Sequence, residues 1–280
     1  MITVTTRKDL QDYLPKAADQ SIGFVPTMGA LHQGHISLLK RAKSENDIGI
    51  ASIFINPIQF NDINDFNRYP RNFEADKQKL ERNGCDLLFL PDYEEIYPGK
   101  EIEWIDPDLG YIEQVMEGQY RPGHFKGVKT VVYHLLNIVK PARAYFGKKD
   151  YQQMLIIKSM IRVMNLPVEV VPCDTERERD ELAMSSRNKT LNSEERHAAA
   201  KIPMILNEAL ERLKDHKTQE VKAWVNDQFL SDPTIHLEYF EILDQESLKP
   251  VDRAVAGKTR LFIAAYPGKI RLIDNMLYKG

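Results

Sequence analysis

The chain has 280 residues, 42% hydrophobic, 28% charged and 9% aromatic, a composition that supports a sizeable core and excludes disordered or collagen-like chains. Its 38 basic residues against 41 acidic ones leave a net charge of −3, which argues against bulk nucleic-acid binding and leaves room only for a local basic pocket. The most apolar run, Ile48 to Ile58, is broken by Asn56 and Pro57 and falls short of the ~20 residues a bilayer span needs. Cys85 and Cys173 stand apart, so neither a disulfide framework nor a cysteine zinc site is expected. The first residues, Met1 to Leu10, carry no signal-type apolar stretch, and a cytoplasmic protein with two buried, reduced thiols is the expectation.

Up to about Pro172, short β-branched or apolar runs alternate with helical patterns, the sequence form of a parallel sheet wrapped by helices. Ile22 to Pro26 reads as a buried strand, and Ile36, Leu39 and Ala42 then mark a helix. Ile48 to Ile55 is the next strand, Phe73 to Asn83 a polar helix and Asp86 to Leu90 a third strand. Val128, Val131, Val132, Leu135, Leu136 and Val139 form one apolar helix face, a core stripe. Ala144 to Phe146, Tyr151 to Met164 and Val168 to Val171 follow as strand, helix and strand. The charged run Glu176 to Glu181 has no apolar period, and the expected boundary falls beside it, giving domains 1–174 and 175–280. Beyond it, Asn192 and Glu195 form a capping box for a helix carrying Ile202, Ile205, Leu206, Ala209, Leu210 and Leu213. Val221, Trp224, Val225 and Phe229 mark another helix. Strands at Leu237 to Leu243 and Arg260 to Tyr266, a turn at Pro267-Gly268 and a last strand from Ile270 to Asp274 complete a small α+β tail ending in a hairpin.

Three polar clusters lie where an α/β sheet binds ligands, after a strand or after the charged run. Pro26-Thr27-Met28-Gly29-Ala30-Leu31-His32-Gln33-Gly34-His35 joins the first predicted strand to its helix, and the glycines allow close backbone approach at a helix start suited to phosphate. His32 and His35 add two donors able to face one ligand. Zinc fits less well, because no Glu follows the first His and no third ligand is near. Gly147-Lys148-Lys149-Asp150 offers compact positive charge at the next such junction, although alone it reads as a solvated helix start. Met184-Ser185-Ser186-Arg187 could grip a polyphosphate through hydroxyls and a guanidinium, or be an ordinary Ser-rich loop. Gln59, which donates and accepts at once, suits a small hydroxy acid; His124 reads as a structural hydrogen-bonding residue.

These segments together resemble the pantoate–β-alanine ligase family over nearly the whole chain. The resemblance rests on residues 26–35, Asn-Pro-Ile-Gln-Phe at 56–60, Tyr-Pro-Arg at 69–71 and Arg-Pro-Gly-His-Phe-Lys-Gly-Val at 121–128. It continues through Phe-Gly-Lys-Lys-Asp-Tyr-Gln-Gln at 146–153, Leu-Ala-Met-Ser-Ser-Arg-Asn at 182–188 and Arg-Leu-Ile-Asp-Asn at 271–275. It implies an α/β, Rossmann-like parallel-sheet domain of the class I aminoacyl-tRNA synthetase and nucleotidyltransferase type, with a smaller α+β domain closing over the site. It also implies a homodimer that uses ATP with Mg²⁺ to condense pantoate and β-alanine through a pantoyl adenylate, releasing AMP and pyrophosphate.

By the same resemblance, Met28, Gly29, Ala30, Leu31, His32, Gln33, Gly34 and His35 bind ATP, with His35 the catalytic histidine. Gly147, Lys148, Lys149, Asp150, Met184, Ser185, Ser186 and Arg187 complete the nucleotide site, and Gln59 and Gln153 hold pantoate and β-alanine. The paired-histidine motif alone would also fit a nucleotidyltransferase acting on another small metabolite, or a nucleotide-binding module without turnover. Two positions depart from the family pattern: Glu181 stands in place of a glycine and Glu176 in place of an aliphatic residue. If position 181 has φ > 0, the side chain costs ~1–2 kcal/mol there.

Overall fold

Six runs form a parallel sheet: Ile2–Val4 (β1), Ile22–Thr27 (β2), Ile48–Ile53 (β3), Leu87–Phe89 (β4), Arg143–Gly147 (β5) and Glu169–Cys173 (β6). They pair in the order β1-β4-β3-β2-β5-β6, every pair parallel. The computed structural model describes residues 1–14 and 20–280. Chain contacts sort them into one unit of Met1–Lys148 with Gln152–Asp174 and another of Lys149–Tyr151 with Thr175–Gly280. No described helix is long and apolar enough to cross a membrane.

In the first unit the helices are Arg7–Tyr13 (α1), Gln33–Glu45 (α2), Ile63–Arg68 (α3), Phe73–Arg82 (α4), Tyr93–Ile96 (α5), Glu117–Tyr120 (α6), His124–Val139 (α7) and Tyr151–Val163 (α8), whose first residue belongs to the second unit. All six residues of β3 are buried, as a central parallel strand covered on both faces requires. The α2 stripe of Ile36, Leu39 and Ala42 packs on Val25, Ala51, Ile53, Leu88 and Tyr145. On α7 the predicted stripe is buried from Val128 to Val139, each such side chain contributing ~1.5–3 kcal/mol. Lys129 lies among them, also buried, and its ammonium is paired with Asp106 at 2.7 Å and with Glu113.

The second unit holds Ser193–Ala199 (α9), Lys201–Arg212 (α10) and Thr218–Leu230 (α11). Its antiparallel sheet has the order β7-β8-β9, from Ile235–Asp244 (β7), Thr259–Pro267 (β8) and Leu272–Leu277 (β9). Two expectations are corrected here. The Asn192/Glu195 capping box starts α9, and the apolar stripe from Ile202 belongs to the separate helix α10. Pro203 gives the reason, since its ring crowds the carbonyl four residues back, at Ala199, where α9 ends. The last strand begins at Leu272 instead of Ile270, because Ile270 N–H still closes the turn onto Pro267 O at 3.3 Å.

Candidate active site

The chain leaves β2 toward β3 on one side and returns later as β5 on the other, and such a switch in strand order is where open α/β sheets bind ligands. β2 pairs with β3 along its whole length, to Thr27 opposite Ile53, but with β5 only at Gly23–Arg143 and Phe24–Ala144. Beyond those pairs β2 and β5 part. Thr27 O accepts from Phe54 N on the β3 side, whereas Ile22 O accepts from Ala142 N on the β5 side. Alternation therefore turns Pro26 toward the side where β5 has parted, so its missing N–H breaks no ladder.

The loop after β2 is held from below. Gly29 has φ +80°, and a Cβ there would sit 3.1 Å from Ile53 Cγ2 and 3.2 Å from Asp76 Oδ2, so a side chain would be both strained and crowded. Ala30 is also left-handed, at φ +51°. Asp76, on α4 and 1% exposed, accepts Ala30 N–H at 2.7 Å and Leu31 N–H at 2.8 Å, one on each oxygen. Lys79, one turn further along α4, donates to Leu31 O at 2.7 Å. Thr27 Oγ1 accepts Gly29 N–H at 3.1 Å and donates to Ser52 O at 2.7 Å. The N–H groups of Gly29, Ala30 and Leu31, candidates for phosphate from sequence, are thus bonded within the protein.

At the start of α2 the two histidines cap each other. His32 Nδ1 accepts Gly34 N–H at 3.2 Å, and His35 Nδ1 accepts His32 N–H at 3.3 Å, a capping box built from imidazoles. The rings lie 4.1 Å apart between centroids. A nitrogen that accepts carries no proton, so each neutral ring holds its N–H on Nε2 and presents a donor there. Gln33 is exposed, while His32, Gly34 and His35 are half-buried.

Gln59 follows β3 and sits in a hydrogen-bonded frame. Tyr97 donates to Asn56 Oδ1 at 2.8 Å, and Asn56 Nδ2 donates to Gln59 Oε1 at 2.9 Å and to Gly127 O at 3.3 Å. Burial pushes the Tyr97 phenol far up, which keeps it a donor. Gln59 Nε2 meets Met28 Sδ at 3.0 Å, a weak acceptor that leaves the amide able to donate to a better one. His124 Nε2 faces Arg121 Nη1 at 3.1 Å, so its Nδ1 carries the proton and donates to Gln59 O at 2.8 Å, a structural role. Gly127 is required, because a Cβ would lie 2.5 Å from Ile58 O. Gln152 is buried and bonds backbone groups of Ile112, Val115 and Glu117, whereas Gln153 is half-buried on the same helix.

Lys148 and Lys149 go to different units. Lys148 pairs with Asp174 at 2.7 Å in the first, and Lys149 with Asp150 at 3.4 Å in the second. Gly147 ends β5. The charged run forms a small hairpin: Met184 N bonds Glu176 O at 2.9 Å, Glu178 N bonds Leu182 O at 2.8 Å and Glu181 adopts φ +66°. Past the hairpin, Ser185 Oγ accepts Arg187 N–H at 3.3 Å and opens the short helix Ser186–Thr190. Arg177 ties the hairpin to β9 through a two-pronged pair with Asp274, whose carboxyl is pushed up by burial against the pull of that guanidinium.

Sequence reasoning missed Asp76 and gave no role to Asp274 or Asn275. A signal for Asp76 exists, since it stands one turn before Leu80 on the buried side of α4. Among the described residues no three His, Cys, Asp or Glu side chains gather as a metal-holding set.

A family model described as pantoate-beta-alanine ligase matches residues 2–277. A pantothenate synthetase of Sulfurihydrogenibium sp. is 48% identical over 266 residues, 93% of each chain. One of Porphyromonas gingivalis is 46% identical over 265 residues, 94% of each. The fold is similar to the crystal structure of pantothenate synthetase from Thermus thermophilus, with TM-score 0.94 at 41% identity over the full length of both chains. A pantoate-beta-alanine ligase from Francisella tularensis, complexed with beta-gamma ATP and beta-alanine, gives TM-score 0.84 at 40% identity, covering 99% of this chain and 98% of that one.

Proposed function

We infer the chemistry from the premise that this chain belongs to the pantoate–β-alanine ligase family: it is an enzyme that condenses pantoate with β-alanine using ATP. A carboxylate resists attack by amines because its leaving group would be an oxide. In the first step, pantoate's carboxylate oxygen attacks the α-phosphorus of ATP and the bond to pyrophosphate breaks. In the second, the β-alanine amine attacks the pantoyl carbon, AMP departs with the oxygen that bridged carbon to phosphorus, and the nitrogen loses a proton.

The observation that carries this reading is the pair of imidazoles capping α2 at the switch in strand order, both with Nδ1 bonded to backbone and Nε2–H as donor. The nucleophile of the first step is already anionic and needs no base; it needs charge neutralised at the phosphates and the reactants aligned. In this proposal His32 and His35 donate Nε2–H to ATP phosphates, and His35 stabilises the charge that develops in the transition state. Gln33 and Gly34 extend that loop, while Met28, Gly29, Ala30 and Leu31 shape it through backbone conformation. In the second unit, Lys149 and Asp150 with Met184, Ser185, Ser186 and Arg187 hold the nucleotide, and Gly147 and Lys148 of the first unit lead into Lys149. Gln59 and Gln153 bind pantoate and β-alanine.

No three His, Cys, Asp or Glu side chains among the described residues gather as a metal-holding set, so Mg²⁺, the expected companion of ATP, would be held chiefly by the phosphates themselves. No step is assigned to it. The family resemblance also supports a homodimer working in the cytoplasm. Pantoate labelled with oxygen-18 in its carboxylate tests the mechanism: label should pass into AMP. Unlabelled AMP, or a nucleotide retained on the product, would overturn it.

A further inference from the structure

Successive residues of a strand face opposite sides of its sheet, so Asp274 and Asn275 of β9 serve different neighbours. Asp274 is in register with Ile263, whose face packs against α9, α10 and α11. There it takes Arg177, with Nη1 at 2.7 Å from Oδ2 and Nη2 at 3.0 Å from Oδ1. The same guanidinium donates to Glu181 O at 2.7 Å and closes the hairpin that leads to Ser185. Asn275 is in register with Phe262 on the other face, where the Tyr151 ring lies 5.9 Å from that of Phe262. Asn275 Nδ2 donates to Lys149 O at 2.8 Å, and its Oδ1 accepts from Arg260 Nη1 at 2.6 Å. Arg260 in turn stacks 4.1 Å over Tyr151. Lys149–Tyr151 belongs with the second unit, in which all of these partners lie.

Asp274 and Asn275 are 3% and 4% exposed. A buried ion pair is weak evidence for stability, because an apolar replacement of similar shape is often as stable; fixing a unique geometry is the better-attested use. Here the polar residues add a directional hold on two chain segments that also pack through apolar side chains, Tyr151 on Phe262 and Leu182 in the second unit's core. We propose that Asn275 and Asp274 are positioning residues for ATP: Asn275 fixes the backbone that carries Lys149, Asp274 acting through Arg177 fixes the hairpin that delivers Ser185, Ser186 and Arg187, and one strand thereby sets the distance between the two groups. This rests on the reading that Lys149 and Ser185–Arg187 hold the nucleotide.

The test is a pair of double-mutant cycles read in steady-state kinetics. Asn275→Ala should raise KM for ATP roughly three- to tenfold, the effect of one hydrogen bond, and leave KM for pantoate within about twofold. In a Lys149→Ala background it should add nothing, because Asn275 acts only through Lys149. Asp274→Asn should raise KM for ATP in the same way, and by less in an Arg187→Ala background, where only Ser185 and Ser186 remain to be placed. If Asn275→Ala does not fold, Asn275→Ser, which retains a short polar side chain, runs the same cycle. Equal rises in KM with and without the Lys149 side chain, or parallel rises for ATP and pantoate, would mark a merely structural role and overturn the proposal. If Lys149→Ala and Arg187→Ala themselves leave KM for ATP unchanged, the nucleotide reading fails and takes this one with it.

Discussion

Replacing Glu181 with glycine should stabilise the protein, although it deletes a charged side chain. Glu181 has φ +66°, where a Cβ crowds the following carbonyl. The chain is held there by main-chain bonds: Glu181 N–H to Glu178 O at 3.0 Å, and Arg177 Nη1 to Glu181 O at 2.7 Å. Glycine keeps both atoms. The Glu181 side chain is exposed, so removing it uncovers no core. Relief of the left-handed strain contributes about 1–2 kcal/mol. The extra freedom of glycine in the unfolded chain offsets ~0.5–1 kcal/mol of that. A net gain of ~0.5–1 kcal/mol corresponds to a rise of ~1–2 °C in Tm for a chain of this length, measurable by differential scanning calorimetry. The decisive control is Glu181→Ala, which keeps Cβ and should stay within ~0.5 kcal/mol of the parent, as surface changes usually do. Equal stabilisation by alanine and glycine would refute the backbone reasoning and assign the effect to relief of repulsion from Glu178 and Asp180. No gain with glycine would show that the strain is absent.

Asp76→Asn leaves one N–H of Ala30 or Leu31 facing an amide N–H₂, so stability should fall by ~1–3 kcal/mol and kcat/KM for ATP should drop with it. Loss of stability with kcat/KM intact would show that the loop does its chemistry without this anchor. His35→Ala should slow adenylate formation ~10²–10³-fold in single-turnover assays; an effect confined to the amine step would refute charge stabilisation by His35. Burial pushes the Cys85 thiol from 9.0 up to about 11. Its folded pKa is raised, so its contribution is intact below pH ~9 and declines as the unfolded thiol ionises first, by up to roughly 2–3 kcal/mol near pH 11. Tm measured across that window should fall more steeply for the parent than for Cys85→Ala, and equal slopes would exclude the thiol as the cause.

The parallel strands and α7 were legible because burial on a covered sheet or one helix face needs only apolar side chains at the right period. β1 was not, since it is a three-residue edge strand with a single buried residue, Val4. Nor was the burial of Lys129, which its position beside the Val128 stripe does not foretell. Its partners, Asp106 and Glu113, come from a separate segment, and an ion pair has no periodicity to read.

The candidate site divides along the same line. The His32–His35 box is written in four consecutive residues, so motif, cap and tautomer follow from one local stretch. Asp76 acts on an N–H 46 residues away, and Asn275 on a carbonyl 126 residues away, and nothing at either position names its partner. A hydrogen bond is directional and pairwise, whereas apolar burial accepts any neighbour, so polar anchoring across a fold leaves no pattern along the chain. Glu181 is the instructive exception. Its strain could be anticipated because φ > 0 is a local demand, one that glycine meets and a side chain resists, and it surfaces in the sequence as soon as the expected glycine is missing.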